Sequence, residues 1–382
     1  MENRSFDHFL GWVPGARGKQ AKLRYLDDAG QQHVTHRLTS YTGCGFNDPD
    51  HSYDGGRVQL NGGACDGFRR GSNDDFALGY YTRKDLPLTR QLVDQFTVCD
   101  RWFSSILGPT YPNRLYTHSA ATDRIRNTLT LCTLPTVWDL LAERAVPATY
   151  YYSDLPVLAL YGTKYLGSAK VLSEFFADAA AGNLPGYSYL DPAFLGDAEN
   201  DDHPHADIRR GQNLVGRIVQ ALVNGPQWGS TLLIITYDEW GGFFDTQVPP
   251  RFPDVVDNPG GDASNPDHAQ AGFRVPTLLV SPFSRGGRVA RTTFEHSAIL
   301  KLVEWRFGLP ALTLRDAASN NIAHVLDFRH PDASRPKISV PLDPGPQPCG
   351  PVAAGSARSA QIDDTWAPLA ASPLVVPWTV RS

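Results

Sequence analysis

The 382 residues predict an α/β fold with a mostly parallel central sheet flanked by helices, on three observations. Thr231-Leu232-Leu233-Ile234-Ile235-Thr236-Tyr237 is a continuous apolar, β-branched run, the pattern of a central parallel strand buried on both faces. From Thr89 onward, strand-like runs alternate with apolar residues at helical spacing. The β-branched and aromatic stretch Phe96–Phe103 leads into Gly108-Pro109-Thr110-Tyr111-Pro112 and then a helix start. That junction is a rigid turn: Gly108 lets the backbone bend, and Pro109 and Pro112 restrict φ on either side of Thr110. With 41% hydrophobic residues, residues 1–338 can bury one large core. Residues 339–382, dominated by Pro, Gly, Ala and Ser, read as an irregular tail.

A net charge of −5 without a long basic run argues against a nucleic-acid partner. No apolar run is long enough to span a bilayer. Cys44, Cys65, Cys99, Cys132 and Cys349 form no C-x-x-C pair, so a cysteine metal site is not expected, and Cys99 reads as a buried thiol. Met1 is not followed by a signal peptide, so the chain as written reads as cytoplasmic.

Taken in order, the chain opens with Glu2 and Asn3, oxygen donors that hard cations accept, although alone they read as a solvated terminus. Residues 14–71 are rich in Gly, Asp and Asn, which predicts loop and short strands, with His51 in Asp48-Pro49-Asp50-His51-Ser52 read as a surface histidine. Thr89 is a candidate cap for a short helix through Leu92 and Val93. Thr136-Val137-Trp138-Asp139 has the form of a capping box, and Ala148–Tyr152 reads as a strand. Asp201-Asp202-His203-Pro204-His205-Ala206-Asp207 is either a metal-ligating cluster or a solvated loop, ahead of a helix through Leu214, Ile218 and Leu222 that Asn224-Gly225 closes. Asp238 and Glu239 end the Thr231–Tyr237 run, where adjacent carboxylates are costly unless a cation or donors satisfy them. Phe273–Pro282 gives another strand, and His296 precedes a helix carrying Ile299, Leu302 and Val303. Arg114 offers a planar donor fork suited to oxyanions.

Glu2, Asn3, Thr110, Asp238 and Glu239 together suit one hard divalent cation such as Mg, Mn, Ca or Fe(II). A cation-bound threonine hydroxyl loses its proton more readily and becomes a nucleophile. His51, His203 and His296 remain to hold non-bridging oxygens or protonate a leaving group. This set fits in-line attack on a phosphate ester and hydrolysis of a phosphothreonine intermediate.

The segments ENRSFDHFLG, GPTYPNRLY, DDHPHADI, YDEWGGFFD, GFRVPTLLVSPFSRGG and FEHSAILKLVEWRFGLP resemble the bacterial phosphoesterase family, in family order from residue 2 to about residue 330. That family contains non-zinc, phosphocholine-preferring phospholipases C and a group of acid phosphatases. The resemblance implies an alkaline-phosphatase-like core with a single metal. By motif it implies Glu2, Asn3, Thr110, Asp238 and Glu239 as metal ligands, Thr110 also as nucleophile, and His203, His296 and His51 as phosphate contacts.

Three departures accompany the match. Asp245-Thr246 stands where the family commonly has Asp-His, and Glu295 replaces an Asp before His296. Met1 stands where the family has an apolar strand running into ENRSFDH, so the core is expected to lack its first strand, with Glu2 and Asn3 fraying. A start further upstream would leave room for an export signal. The expected activity is phospholipase C-like hydrolysis of a phosphodiester to diacylglycerol and a phosphorylated head group, with transient contact at a membrane surface. Its alternatives are a phosphomonoesterase and a non-catalytic head-group binder. Trp240, Tyr80 and Tyr81 read equally as a choline-binding surface or as packing.

Overall fold

In the computed structural model, which describes residues 1–349 and 365–379, the apolar runs organise two packed cores around two sheets. Helix α1 (Phe6–Leu10) opens after Ser5, whose hydroxyl accepts from the His8 amide at 3.3 Å. Strands β1 (Arg24–Leu26) and β2 (Gln32–Val34) form an antiparallel ribbon, while β3 (His36–Arg37) pairs in parallel with β4 (Gly79–Tyr80). Helix α2 (Tyr53–Leu60) lies where loop and short strands were expected. Its Gly55-Gly56 pair masks the helix in the sequence, but the pair is needed: a Cβ at Gly55 would meet the Asp50 carboxyl at 2.3 Å. Ser52 caps it by accepting from the Gly55 amide at 3.0 Å.

Helix α3 (Pro87–Gln95) starts on Pro87, so the expected cap Thr89 lies inside it, where its hydroxyl instead accepts from Gln212 at 2.7 Å. Strand β5 (Thr97–Cys99) leads through the Gly108-Pro109 turn into α4 (Thr110–Ser119). The Thr136–Asp139 capping box opens α5 (Val137–Glu143) as its sequence predicts. Then come β6 (Ala148–Tyr152), β7 (Ala169–Val171), α6 (Leu172–Ala181), β8 (Tyr187–Leu190) and α7 (Ile208–Asn224). Strands β9 (Leu233–Ile235), β10 (Leu278–Val280) and β11 (Val289–Ala290) precede α8 (Ser297–Phe307) and α9 (Leu314–Ala318).

Strand order in the larger sheet is β11-β5-β10-β9, and β10 alone runs against the other three. The strongest strand signal in the sequence therefore forms an edge strand with an antiparallel neighbour, not a central parallel one. The second sheet, β7-β6-β8, is wholly parallel. Strands β8 and β9 both line one cleft of about 740 Å³, which explains the half-exposed Leu232, Leu233 and Ile234 in an otherwise apolar run.

The tail differs from the irregular segment expected. Cys349 bonds to Cys44, and two helical turns, α10 (Ala367–Ala370) and α11 (Val376–Thr379), close the second core. Trp366 stacks on Phe194 at 4.2 Å, and the buried Trp378 carbonyl accepts from the Tyr152 hydroxyl at 3.0 Å. Residues 350–364, also part of that expected tail, lie outside the described residues. Cys65, Cys99 and Cys132 are buried thiols.

The first residues do not fray. The Glu2 amide donates to Asp201 O at 2.8 Å, the Arg4 amide to Glu239 O at 3.1 Å and the Phe6 amide to Arg274 O at 2.9 Å. Glu2 and Asn3 are completely buried. Pairing with the strand end at Asp238 and with the Asp201 loop outweighs the entropy of a free end.

Two turns into α4, His118 is buried with Nδ1 accepting from Trp138 Nε1 at 3.3 Å. Burial, helped by the Arg114 charge, lowers its pKa from 6.5 to about 3. The unfolded chain therefore takes up this proton first. The stability that neutral His118 contributes is complete above pH 6.5 and is lost progressively as the pH falls toward 3. Urea denaturation between pH 7 and 4 should show this slope, at most about 1.4 kcal/mol per unit from this group, and His118→Gln should flatten it.

Candidate active site

Local geometry explains why the motif residues converge. Beyond β9 the chain turns through Gly241 and Gly242, both at positive φ (63° and 70°). A Cβ on Gly241 would fall 2.1 Å from the Asn3 carbonyl oxygen, so glycine lets the N-terminal segment cross against Asp238 and Glu239. There the Asn3 amide donates to Asp238 Oδ1 at 3.1 Å, and Glu239 Oε2 accepts from the Gly241 amide at 2.7 Å. Thr110 is the first residue of α4, and Arg114, one turn on, shares its helix face.

Arg114 does not wait for an oxyanion. Its fork donates to Glu2, to Asp191 at 2.9 Å and to Asp238 at 3.3 Å. His51, read as a surface residue, is buried: the helix α2 that follows it and the Asn3 segment cover it, with Asn3 Nδ2 at 3.3 Å from its Nε2. His51 Nε2 also lies 4.0 Å from Glu239 Oε1, and its ring centre is 6.0 Å from that of His203. Glu2, Asn3, His51, His203, Asp238 and Glu239 thus form one buried cluster, with Thr110 a helical turn from the arginine that ties it.

His296 stands apart from this cluster's histidines. Its Nε2–H donates to the Asp238 carbonyl at 2.7 Å and its Nδ1 accepts from Trp102 at 3.3 Å, so both ring nitrogens are engaged. The Asp201–Asp207 segment is divided among several tasks. Asp202 accepts from the Tyr237 hydroxyl at 2.5 Å, His205 bonds the Phe46 carbonyl at 2.9 Å, and Asp207 caps α7. Thr246, at the departure from Asp-His, donates to Asp7 at 2.6 Å, and its neighbour Asp245 takes both prongs of Arg274. Trp240 and Tyr81 are fully buried core residues, which removes them from any choline-binding surface; Tyr80 packs half-buried beside the Trp240 cluster.

Two acids escaped the sequence reading. Asp191 follows β8, the C-terminal end of a parallel strand, a position that by itself marks ligand sites in α/β sheets. Asp48 sits three residues before His51, and its side chain lies 3.9 Å from His203 Nε2.

Burial raises the Glu2 carboxyl well above its ordinary value, and Asp238 and Asp201 add to this against Arg114. Burial also raises Glu239, with His51 opposing and Asp238 reinforcing. Asp238 goes the other way: burial raises it, but Arg114, the Glu2 side chain, the N-terminal charge and the Asn3 amide together bring it below its ordinary value. One guanidinium thus balances an excess of buried carboxyls, and the remainder call for protons or a cation.

Glu2 Oε2, Asn3 Oδ1, Thr110 Oγ1 and Glu239 Oε1 are buried and make no hydrogen bond among the described residues. Four oxygens left without donors fit a hard cation. A pocket of about 330 Å³, lined by Asp48, His51, Tyr53, Pro109, Arg126 and Asn127, opens beside the residue preceding Thr110. No helix among the described residues is long and apolar enough to cross a membrane.

The profile of the phosphoesterase family matches residues 1–136 and 126–310. Non-specific phospholipase C6 of Arabidopsis thaliana is 32% identical over 366 residues, covering 83% of this chain and 69% of that protein. Phospholipase C B of Mycobacterium tuberculosis is 31% identical over 428 residues, covering 89% of this chain and 79% of that one. Among solved structures, the phosphonate monoester hydrolase of Agrobacterium radiobacter is similar with a TM-score of 0.38 and 14% identity, over 65% of this chain and 73% of that one. An alkaline phosphatase superfamily protein from Vibrio parahaemolyticus has a TM-score of 0.38 and 11% identity, over 62% of this chain and 65% of that one.

Proposed function

The chain belongs to the phosphoesterase family and is a hydrolase of phosphoester bonds, and from that premise we propose a phospholipase C-like reaction with Thr110 as nucleophile. The observation that carries the reading is the set of orphaned buried oxygens on Glu2, Asn3, Thr110 and Glu239. With Asp238, these residues would hold one divalent cation. Bound there, such an ion supplies acidity to the Thr110 hydroxyl and offsets the excess carboxylate charge.

The chain's own residues do the rest. Thr110 Oγ, its hydroxyl proton released to solvent, attacks phosphorus in line with the leaving oxygen, forming the threonine–phosphorus bond as the bond to diacylglycerol breaks. The developing alkoxide takes a proton from an imidazole at the pocket, His51 or His203. Water then attacks the phosphothreonine, giving its proton to that imidazole, and the phosphorylated head group leaves as Thr110 is restored. Arg114 holds Asp238 and Glu2 in place through its ion pairs, and His296 fixes the Asp238 backbone through its 2.7 Å bond. The lipid ester would be taken from a membrane surface by transient contact.

p-Nitrophenylphosphorylcholine and p-nitrophenyl phosphate, assayed side by side after adding divalent cations, test the substrate class. Faster turnover of the choline ester supports the phospholipase reading. Preference for the monoester moves the chain to phosphomonoesterase, which the same nucleophile serves. Cation-independent inertness on both would favour a head-group binding protein.

A further inference from the structure

Thr110 carries the nucleophile of the proposed reaction, yet nothing at its own side chain aims it. Its Oγ1 is buried and makes no hydrogen bond among the described residues. A β-branched side chain has few rotamers, so the direction of that oxygen follows from the backbone beneath it. The chain leading into Thr110 has no regular ladder to hold it. Residues 104–109 belong to no helix or strand. Pro109, at the N-cap of α4, makes no side-chain hydrogen bond to cap the helix.

One side chain holds this turn from within. Asn113 is completely buried and lies one turn into α4. Its Oδ1 accepts from the Ile106 amide at 3.0 Å. Its Nδ2 donates to the carbonyls of Gly108 at 2.8 Å, Pro109 at 3.1 Å and Ile106 at 3.2 Å. A carboxamide suits this task because it offers an acceptor and two N–H donors in one plane. With an amide N–H facing one end and carbonyls the other, only one orientation of the group fits. Gly108 and Pro109 are the two residues immediately before the nucleophile, so their carbonyls set where α4 begins. Asn127 completes the frame from outside the helix, its Oδ1 accepting from the Tyr111 amide at 2.9 Å in place of a cap.

We infer that Asn113 is a positioning residue, holding the Gly108–Pro109 turn so that Thr110 Oγ points at phosphorus. The inference rests on the reading of Thr110 as nucleophile. The Asn113 amide is spent on the turn, so it acts through Thr110 and contacts no substrate. Asn113→Asp is the sharpest substitution, because it keeps the shape and sets a carboxylate oxygen against three carbonyl oxygens. The turn must then shift, and a displacement of about 1 Å at an attacking group costs roughly 100-fold in rate.

Steady-state kinetics of the full chain on p-nitrophenylphosphorylcholine with divalent cation test this, with Thr110→Ala and the Thr110→Ala/Asn113→Asp double variant alongside. Asn113→Asp should lower kcat roughly 100-fold, while KM and the cation concentration for half-activation stay within a few-fold of the parent. The double variant should be no slower than Thr110→Ala alone, because Asn113 has no nucleophile left to aim. Asn113→Ser keeps one hydroxyl donor and should fall between the parent and Asn113→Asp. It carries the test if circular dichroism shows that Asn113→Asp does not fold. A kcat for folded Asn113→Asp within a few-fold of the parent would overturn the inference and leave Thr110 standing. So would a loss that recurs in full on top of Thr110→Ala, which is the mark of a merely structural role. Parent-like turnover by Thr110→Ala would remove the nucleophile reading, and this inference with it.

Discussion

Thr110→Ala should lower kcat by roughly 10⁴-fold or more while leaving the fold and substrate affinity nearly unchanged. Thr110 Oγ1 makes no hydrogen bond among the described residues, so its removal costs no internal partner. The lost γ-methyl leaves a small void at the helix start, worth about 1 kcal/mol. Thr110→Ser keeps the hydroxyl and should retain measurable turnover. An alanine variant within tenfold of the parent would exclude Thr110 as nucleophile, whatever the metal does.

Arg114 governs a larger stability effect. It is buried at the junction of Glu2, Asp191 and Asp238, and its own charge is held by those three acids against the cost of burial. Arg114→Met preserves length and leaves the acids without their counter-charge, which should cost about 3–5 kcal/mol in urea denaturation. Arg114→Lys should recover only part of this, because a point charge cannot reach three carboxylates in fixed directions. Divalent cation should stabilise Arg114→Met more than the parent. At a hundredfold excess over Kd, binding to the folded chain contributes about 2.7 kcal/mol. Equal stabilisation of the two would mean that the arginine and the cation site are not electrostatically linked.

Much of the architecture is written locally. The Thr136 box, the apolar spacing of α7 and the β-branched stretch of β5 each specify their element, because caps and periodicity act over a few residues. Helix α2 was hidden because Gly55 and Gly56 lower propensity for the sake of contacts with Asp50 and Leu107, which only tertiary structure reveals. The place of β9 at a sheet edge was equally out of reach, since an apolar run reports burial and not its neighbours.

At the site, residue type announced Glu2, Asn3, Thr110, Asp238 and Glu239 as oxygen donors; the structure gathers Glu2, Asn3, Asp238 and Glu239, and Thr110 opens the helix whose Arg114 pairs with Glu2 and Asp238. Arg114 misled because a guanidinium suits carboxylates and phosphate alike, and only the partners at 2.9 and 3.3 Å decide between them. Asp48 reads as one acid among several in a turn-rich loop until the chain brings His203 across from it. The pairing of Cys44 with Cys349, 305 residues apart, has no local signal at all.

The most direct measurement is to trap the covalent intermediate. The full chain is mixed with p-nitrophenylphosphorylcholine and divalent cation, quenched in acid during turnover, digested and examined by mass spectrometry. The account predicts a phosphorylcholine adduct on the peptide containing Thr110, absent in Thr110→Ala. Turnover with that peptide unmodified at every quench time, and an adduct on a histidine peptide instead, would contradict it.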